Sequence, residues 1–243
     1  MVDIASHATW CHAPGHHHPR RGRALSGHRH RHLARRLIQL YGGLVLYGAS
    51  SALLVRSGLG LEPWNVLHQG LSRHTGLSMG LVVTLTGALV LLLWIPLRQR
   101  PGLGTVSNVL VIGAAMDATL AVVPDARAMA ARIAFMVAGT VLNGVATGLY
   151  IAARFGPGPR DGLMTGLNAR TGLSVRLVRT VLEVTVVVSG FLLGGTIGVG
   201  TVLYAVAIGP LAQVFLRVFA VPAASGGTPP VADGKPEGAI LRP

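Results

Sequence analysis

Four charged side chains stand where a mostly apolar chain has little use for charge. Arg160 and Asp161 follow directly on Gly156-Pro157-Gly158-Pro159, and Arg179 and Glu183 lie four residues apart in an otherwise apolar run. Asp117 lies in a second such run, with Asn108 and Asn143 as polar company in others. A charge at mid-bilayer costs about 2.5–3.5 kcal/mol on insertion scales, so it needs a partner or a water-filled cavity. Arg179 and Glu183 can pair along one helix face, with Arg176 one turn earlier on the same side. Two readings follow. The pair is a neutralised brace, or Glu183 carries protons or cations through a central cavity.

Arg160 and Asp161 call for a helix start. Proline suits the first helical turn, where no backbone N–H is needed, and the glycines before it permit a sharp reversal. A helix N-terminus exposes unpaired N–H groups and a positive dipole end that favours anionic ligand groups. The same arrangement occurs earlier as Gly60-Leu61-Glu62-Pro63-Trp64-Asn65, which sets Trp64 against Arg160 and Asn65 against Asp161. Candidate solute- or ion-pathway residues are therefore Asn65, Arg160, Asp161, Arg179, Glu183 and Asp117. Pro63, Trp64, Gly156, Pro157, Gly158 and Pro159 form the helix-start motifs. Glu62 and Trp64 fit equally well as an interfacial anchor.

The correspondence between these motifs is general. Gly76-Leu77-Ser78 falls on Gly172-Leu173-Ser174 and Gly104-Thr105-Val106 on Gly200-Thr201-Val202, always 96 positions on, with no gap from Leu46–Gly113 to Leu142–Gly209. Half of the 243 residues are hydrophobic and 12% are charged, about half the charged share of a soluble domain. The repeated unit is therefore a membrane unit. Six segments reach the roughly 20 apolar residues a spanning helix needs: Leu37–Val55, Leu77–Leu97, Leu103–Val123, Met129–Ala152, Leu173–Leu193 and Val199–Val221. Each three-span repeat (37–123 and 129–221) has a short, non-spanning helix after its first span, near Val66–Thr75 and Leu163–Thr171.

Three spans is an odd number, so the second repeat enters the membrane from the opposite face. The fold expected is an all-α membrane protein of six transmembrane helices in two inverted repeats, an architecture shared by many alternating-access transporters. Seven arginines and eight of the ten histidines precede residue 37. Together with Arg98, Arg100, Arg154, Arg160, Arg170 and Arg217, they outnumber Arg56, Arg73 and Arg127 on the other side. The positive-inside rule then puts both termini in the cytoplasm of a bacterial plasma membrane.

Residues 1–36 lack the apolar stretch of a secretory signal, and with 222–243 they read as disordered tails. His16-His17-His18 offers at most weak metal binding. The one cysteine, Cys11, excludes an internal disulfide. Phosphate-loop, zinc-protease and nucleophile-elbow motifs are absent, so no enzyme, cofactor or metal centre is expected. The basic charge is a tail property, and no nucleic-acid partner is expected either. The function expected is a small-molecule transporter or exporter in the lipid bilayer. The alternative is a non-transporting accessory protein that assists assembly or secretion of a partner.

The motifs also resemble a known group. Leu59-Gly60-Leu61-Glu62-Pro63-Trp64-Asn65-Val66-Leu67-His68-Gln69-Gly70 and Gly156-Pro157-Gly158-Pro159-Arg160-Asp161-Gly162-Leu163-Met164 resemble the two signatures of the bacterial YczE family of integral membrane proteins (YczE/YyaS/YitT-like). Arg179-Thr180-x-x-Glu183 and Gly195-Thr196-x-Gly198-x-Gly200-Thr201 extend the resemblance over roughly residues 36–221. It implies a multi-pass membrane bundle and, through distant relatives, export of small molecules.

Overall fold

Helices account for most of residues 22–219, the part of the chain that the computed structural model describes, and no strand occurs among them. In chain order they are α1 (Gly22–Ser57), α2 (Pro63–Thr75), α3 (Met79–Leu97), α4 (Leu103–Val122), α5 (Met129–Ala152), α6 (Pro159–Thr171), α7 (Val175–Leu192) and α8 (Val199–Phe219). Among the described residues, those from Arg36 onward form one compact unit, which holds the helical bundle. The expectations for residues 1–21, including His16-His17-His18, and for 222–243 lie outside the described residues. Helix α1 begins at Gly22, well before the expected Leu37.

Among the described residues, five helices are long and apolar enough to cross a membrane: α1 from Leu33, α3, α4, α5 and α8. Helix α7 matches the expected fifth span in position. It differs in composition, carrying Arg176, Arg179 and Glu183 within its 18 residues. The outer faces of these helices are apolar. Ile38, Leu89, Leu92, Val188, Val202 and Val206 all stand exposed, and only lipid makes such a surface favourable.

Helices α2 and α6 are 13 residues each, too short to span. Both start on proline and end on a left-handed glycine (Gly76, φ 72°; Gly172, φ 71°). Each is followed by a serine whose side chain caps the next helix, Ser78 for α3 and Ser174 for α7. Gly60 and Gly156, at φ 130° and 119°, make the reversals that lead into them.

Contacts between the halves are exchanged at the same spacing. The Gly104 N–H donates to Phe155 O at 2.9 Å and the Gly200 N–H to Leu59 O at 2.9 Å. Arg36, near the bundle end of α1, donates to Ala153 O (2.9 Å) and Arg154 O (3.1 Å) at the end of α5. Arg132, near the start of α5, donates to Ser57 O (2.8 Å) and Gly58 O (2.7 Å) at the end of α1. Each guanidinium thus satisfies orphan carbonyls of the opposite helix. Between these ends, Gly43 lies against Ala146 and Tyr150, and Gly139 against Ser50 and Leu54. The early part of each helix meets the late part of the other, so α1 and α5 run in opposite directions.

Candidate functional site

A cavity of about 250 Å³ opens where the starts of α2 and α6 meet. Pro63 and Trp64 line it from α2, Pro159, Arg160 and Asp161 from α6, and Tyr47, Tyr150 and Tyr204 from α1, α5 and α8. Arg179 and Glu183 of α7 add to its polar lining, with Asn108 and Thr147. The Arg160 guanidinium lies 5.5 Å from the Trp64 ring centre and 5.9 Å from that of Tyr47, close enough for cation–π attraction. Trp64 and Arg160 are matching positions of the two halves, so the site sits where the halves face each other.

Behind the lining lies a buried polar network centred on Glu62, which is 1% exposed. Tyr47 Oη donates to Glu62 Oε2 (3.2 Å), Ser51 Oγ to Oε1 (3.1 Å) and Asn65 Nδ2 to Oε1 (2.6 Å). Arg160 Nη2 donates to the same Tyr47 hydroxyl at 2.8 Å. The tyrosine therefore relays between a guanidinium and a carboxylate that form no direct ion pair. Asn65 Oδ1 lies 2.9 Å from His68 Nδ1, continuing the network along α2. On the far side, Tyr204 Oη donates to Asn143 Oδ1 (2.8 Å) and Asn143 Nδ2 to Ser50 Oγ (2.9 Å). Buried polar groups in hydrocarbon are stable only when bonded in this way.

The structure brings Arg160, Asp161, Arg179 and Glu183 into one cavity, with Pro63, Trp64, Gly158 and Pro159 in its wall. Arg179 Nε and Glu183 Oε1 are 2.9 Å apart, at side-chain exposures of 55% and 33%, so the pair faces open space and is not sealed in the core. Asn65 is 3% exposed and belongs to the layer behind the lining. Asp117 lies elsewhere. It accepts from the Gly80 N–H (2.7 Å) and Ser78 Oγ (2.5 Å), bracing the start of α3. Gly156 and Pro157 shape the loop before α6, where Thr105 Oγ1 donates to Pro157 O at 2.7 Å. The interfacial-anchor reading of Glu62 and Trp64 is corrected, because both are buried inside the bundle.

Sequence reasoning missed the tyrosines. Tyr47, Tyr150 and Tyr204 look like ordinary apolar-span residues, and only the fold shows that three hydroxyls converge on one place. Glu62 carried a signal that was available: it is an acid one residue before the helix-starting proline, where Gly158 stands in the second half.

An apolar-skinned helical bundle with a polar, charge-lined interior defines a multi-pass membrane protein. Residues 34–217 match a family described as "Family of unknown function (DUF6198)", and the chain belongs to that family. It is 42% identical over 177 residues to an "Uncharacterized protein" of Haemophilus influenzae, covering 73% of this chain and 81% of that one. It is 32% identical over 171 residues to "Uncharacterized membrane protein YczE" of Bacillus subtilis (70% and 80% covered). With "Uncharacterized protein YyaS" of the same organism the identity is 27% over 183 residues (73% and 91% covered). No solved structure matches.

Proposed function

We propose that the protein is a small-molecule transporter with six spans in two inverted three-span repeats, and that solute passes through the cavity between α2 and α6. The observation that carries this reading is the cavity itself. Two non-spanning helices at matching places in the two halves begin there, the arrangement that marks substrate sites in inverted-repeat transporters. The opposed run of α1 and α5, and the reciprocal caps by Arg36 and Arg132, support the inverted topology. In this reading α7 also crosses the membrane, as the fifth span in chain order. Its charges are tolerated because Arg179 and Glu183 face the cavity while Val181, Val184 and Val188 face lipid.

Six spans place both termini in the cytoplasm, given the arginine distribution. Topology reporters after Arg100 and Gly158 are expected to read cytoplasm, and those at Thr75 and Asp125 the exterior. A cytoplasmic signal at Asp125 would sink the inverted repeat. For transport, the purified protein in proteoliposomes is expected to show saturable uptake or efflux of at least one compound from a broad metabolite panel. Absence of flux across the panel, with the protein folded, would favour the accessory role in assembly or secretion instead.

A further inference from the structure

Resting on the reading of the cavity as a transport site, we infer that its ligand is a small zwitterion of amino-acid size. Its anionic group is held by Arg160, and its cationic group by Asp161 and Glu183. The argument starts from groups in the lining that lack partners. A guanidinium has five N–H donors. Among the described residues Arg160 gives hydrogen bonds only to the Tyr47 hydroxyl and forms no ion pair, although Asp161 is its neighbour in the chain. The nearest buried carboxylate, Glu62, already accepts from three side chains. Trp64, under the guanidinium, is 6% exposed, and its Nε1 has no acceptor.

Acceptors without donors stand in the same lining. Asp161 receives one long hydrogen bond, from Tyr150 Oη at 3.4 Å, and Glu183 pairs through Oε1 alone. Arg160 and Arg179 thus stand beside Asp161 and Glu183 in the lining, with the Glu62 carboxylate behind them linked to Arg160 through Tyr47. A ligand bearing both charges satisfies the free donors of Arg160 and the free acceptors of Asp161 and Glu183 together, whereas an anion or a cation alone leaves one of these sets unpaired. The volume, about 250 Å³, falls just under the roughly 300–1,000 Å³ typical of sites for drug-sized ligands, which suits a metabolite of amino-acid size.

The test uses the full chain in lipid nanodiscs, with the common L-amino acids and glycine betaine as probes. Each hit is compared with its matched carboxylic acid lacking the amine and its matched amine lacking the carboxylate; for leucine these are 4-methylpentanoate and 3-methylbutylamine. Thermal stabilisation and direct titration are expected to show at least one zwitterion binding about tenfold or more tighter than either half. Arg160→Gln should abolish binding, and Asp161→Asn should weaken the zwitterion while leaving its matched acid unchanged. The comparison among three matched probes on the unaltered protein holds even if a variant fails to fold. Equal or tighter binding of the acid or the amine alone overturns the inference, and so does the absence of saturable binding across the panel. The transport reading fails separately. Zwitterion binding without flux in proteoliposomes would remove transport and keep this ligand class, whereas flux of another chemical class without zwitterion binding would do the reverse.

Discussion

Along α3, Gly80 and Gly87 face α4; at the matching places along α7 stand Arg176 and Glu183, and Val83 is matched by Arg179. The consequences are visible in the packing. A methyl added at Gly80 would meet the Gly113 carbonyl, one added at Gly113 would meet the Gly80 carbonyl and Thr84, and Gly87 lies against Val109. Helices α3 and α4 pack along their length, while α7 and α8 barely touch. Gly209, the counterpart of Gly113, has nothing within 4 Å of the same added methyl and lines the cavity. Small residues let helices close up in a membrane, and charged residues at the same register keep them apart. The two halves share a backbone plan, and the side chains at this one seam decide which half is shut and which opens onto Arg160.

The seam glycines give the strongest way to break this comparison. Gly113→Leu pushes a side chain into backbone that cannot move aside, with an expected loss of about 3 kcal/mol or more and a large fall in folded yield. Gly209→Leu places the same side chain in open space and is expected to stay within about 0.5 kcal/mol of the parent. Thermal unfolding in nanodiscs compares the two. Equal losses would mean that α7 and α8 close against each other in the folded protein.

A smaller effect sharpens the same contrast. Asp117 accepts from the Gly80 N–H and Ser78 Oγ, so it satisfies an orphan donor and complements the positive end of α3. Its counterpart on α8 is Gln213, and at the start of α7 Ser174 caps Leu177 without help from α8. Asp117→Ala is expected to cost about 1–3 kcal/mol, because it leaves those donors unpaired. Gln213→Ala is expected to cost less than about 0.5 kcal/mol. A matching loss at Gln213, measured in the same unfolding assay, would show that the α7–α8 side is braced after all.

These contrasts also mark what was legible in the sequence. The repeat was readable because packing glycines, helix-starting prolines and capping serines recur wherever the backbone does the same thing twice. The short helices were found that way, each starting three or four residues earlier than their apolar sets suggested, at Pro63 and Pro159 themselves. Arg160, Asp161, Arg179 and Glu183 stood out because charge is costly in an apolar run. Asp117 stood out for the same reason and turned out to brace a helix start, since the cost of burial marks a residue as partnered without saying by what. The caps by Arg36 and Arg132 were hidden for the converse reason: arginine near a membrane face is ordinary, and only the opposed packing of α1 and α5 gives it carbonyls to hold. The seam charges were visible as residues. Their meaning depended on knowing that α3 has glycine at the same register.

The smallest effect tests how the open side is held. Arg179 and Glu183 pair at 2.9 Å with exposures of 55% and 33%. A pair on one helix with that much exposure is worth roughly 0.3–0.5 kcal/mol, well short of a buried pair. In a double-mutant cycle with Arg179→Gln and Glu183→Gln, the coupling energy in nanodisc unfolding is therefore expected at about 0.5 kcal/mol or below. A coupling of about 2 kcal/mol or more would mean the pair is sealed in low dielectric, with α7 and α8 closed around it, and the contrast with α3 and α4 would fall. A small coupling separates the two roles left to Glu183. If it only braces Arg179, the double variant keeps whatever flux the protein has; if Glu183 itself contacts the passing solute or ion, the double variant folds normally and loses that flux.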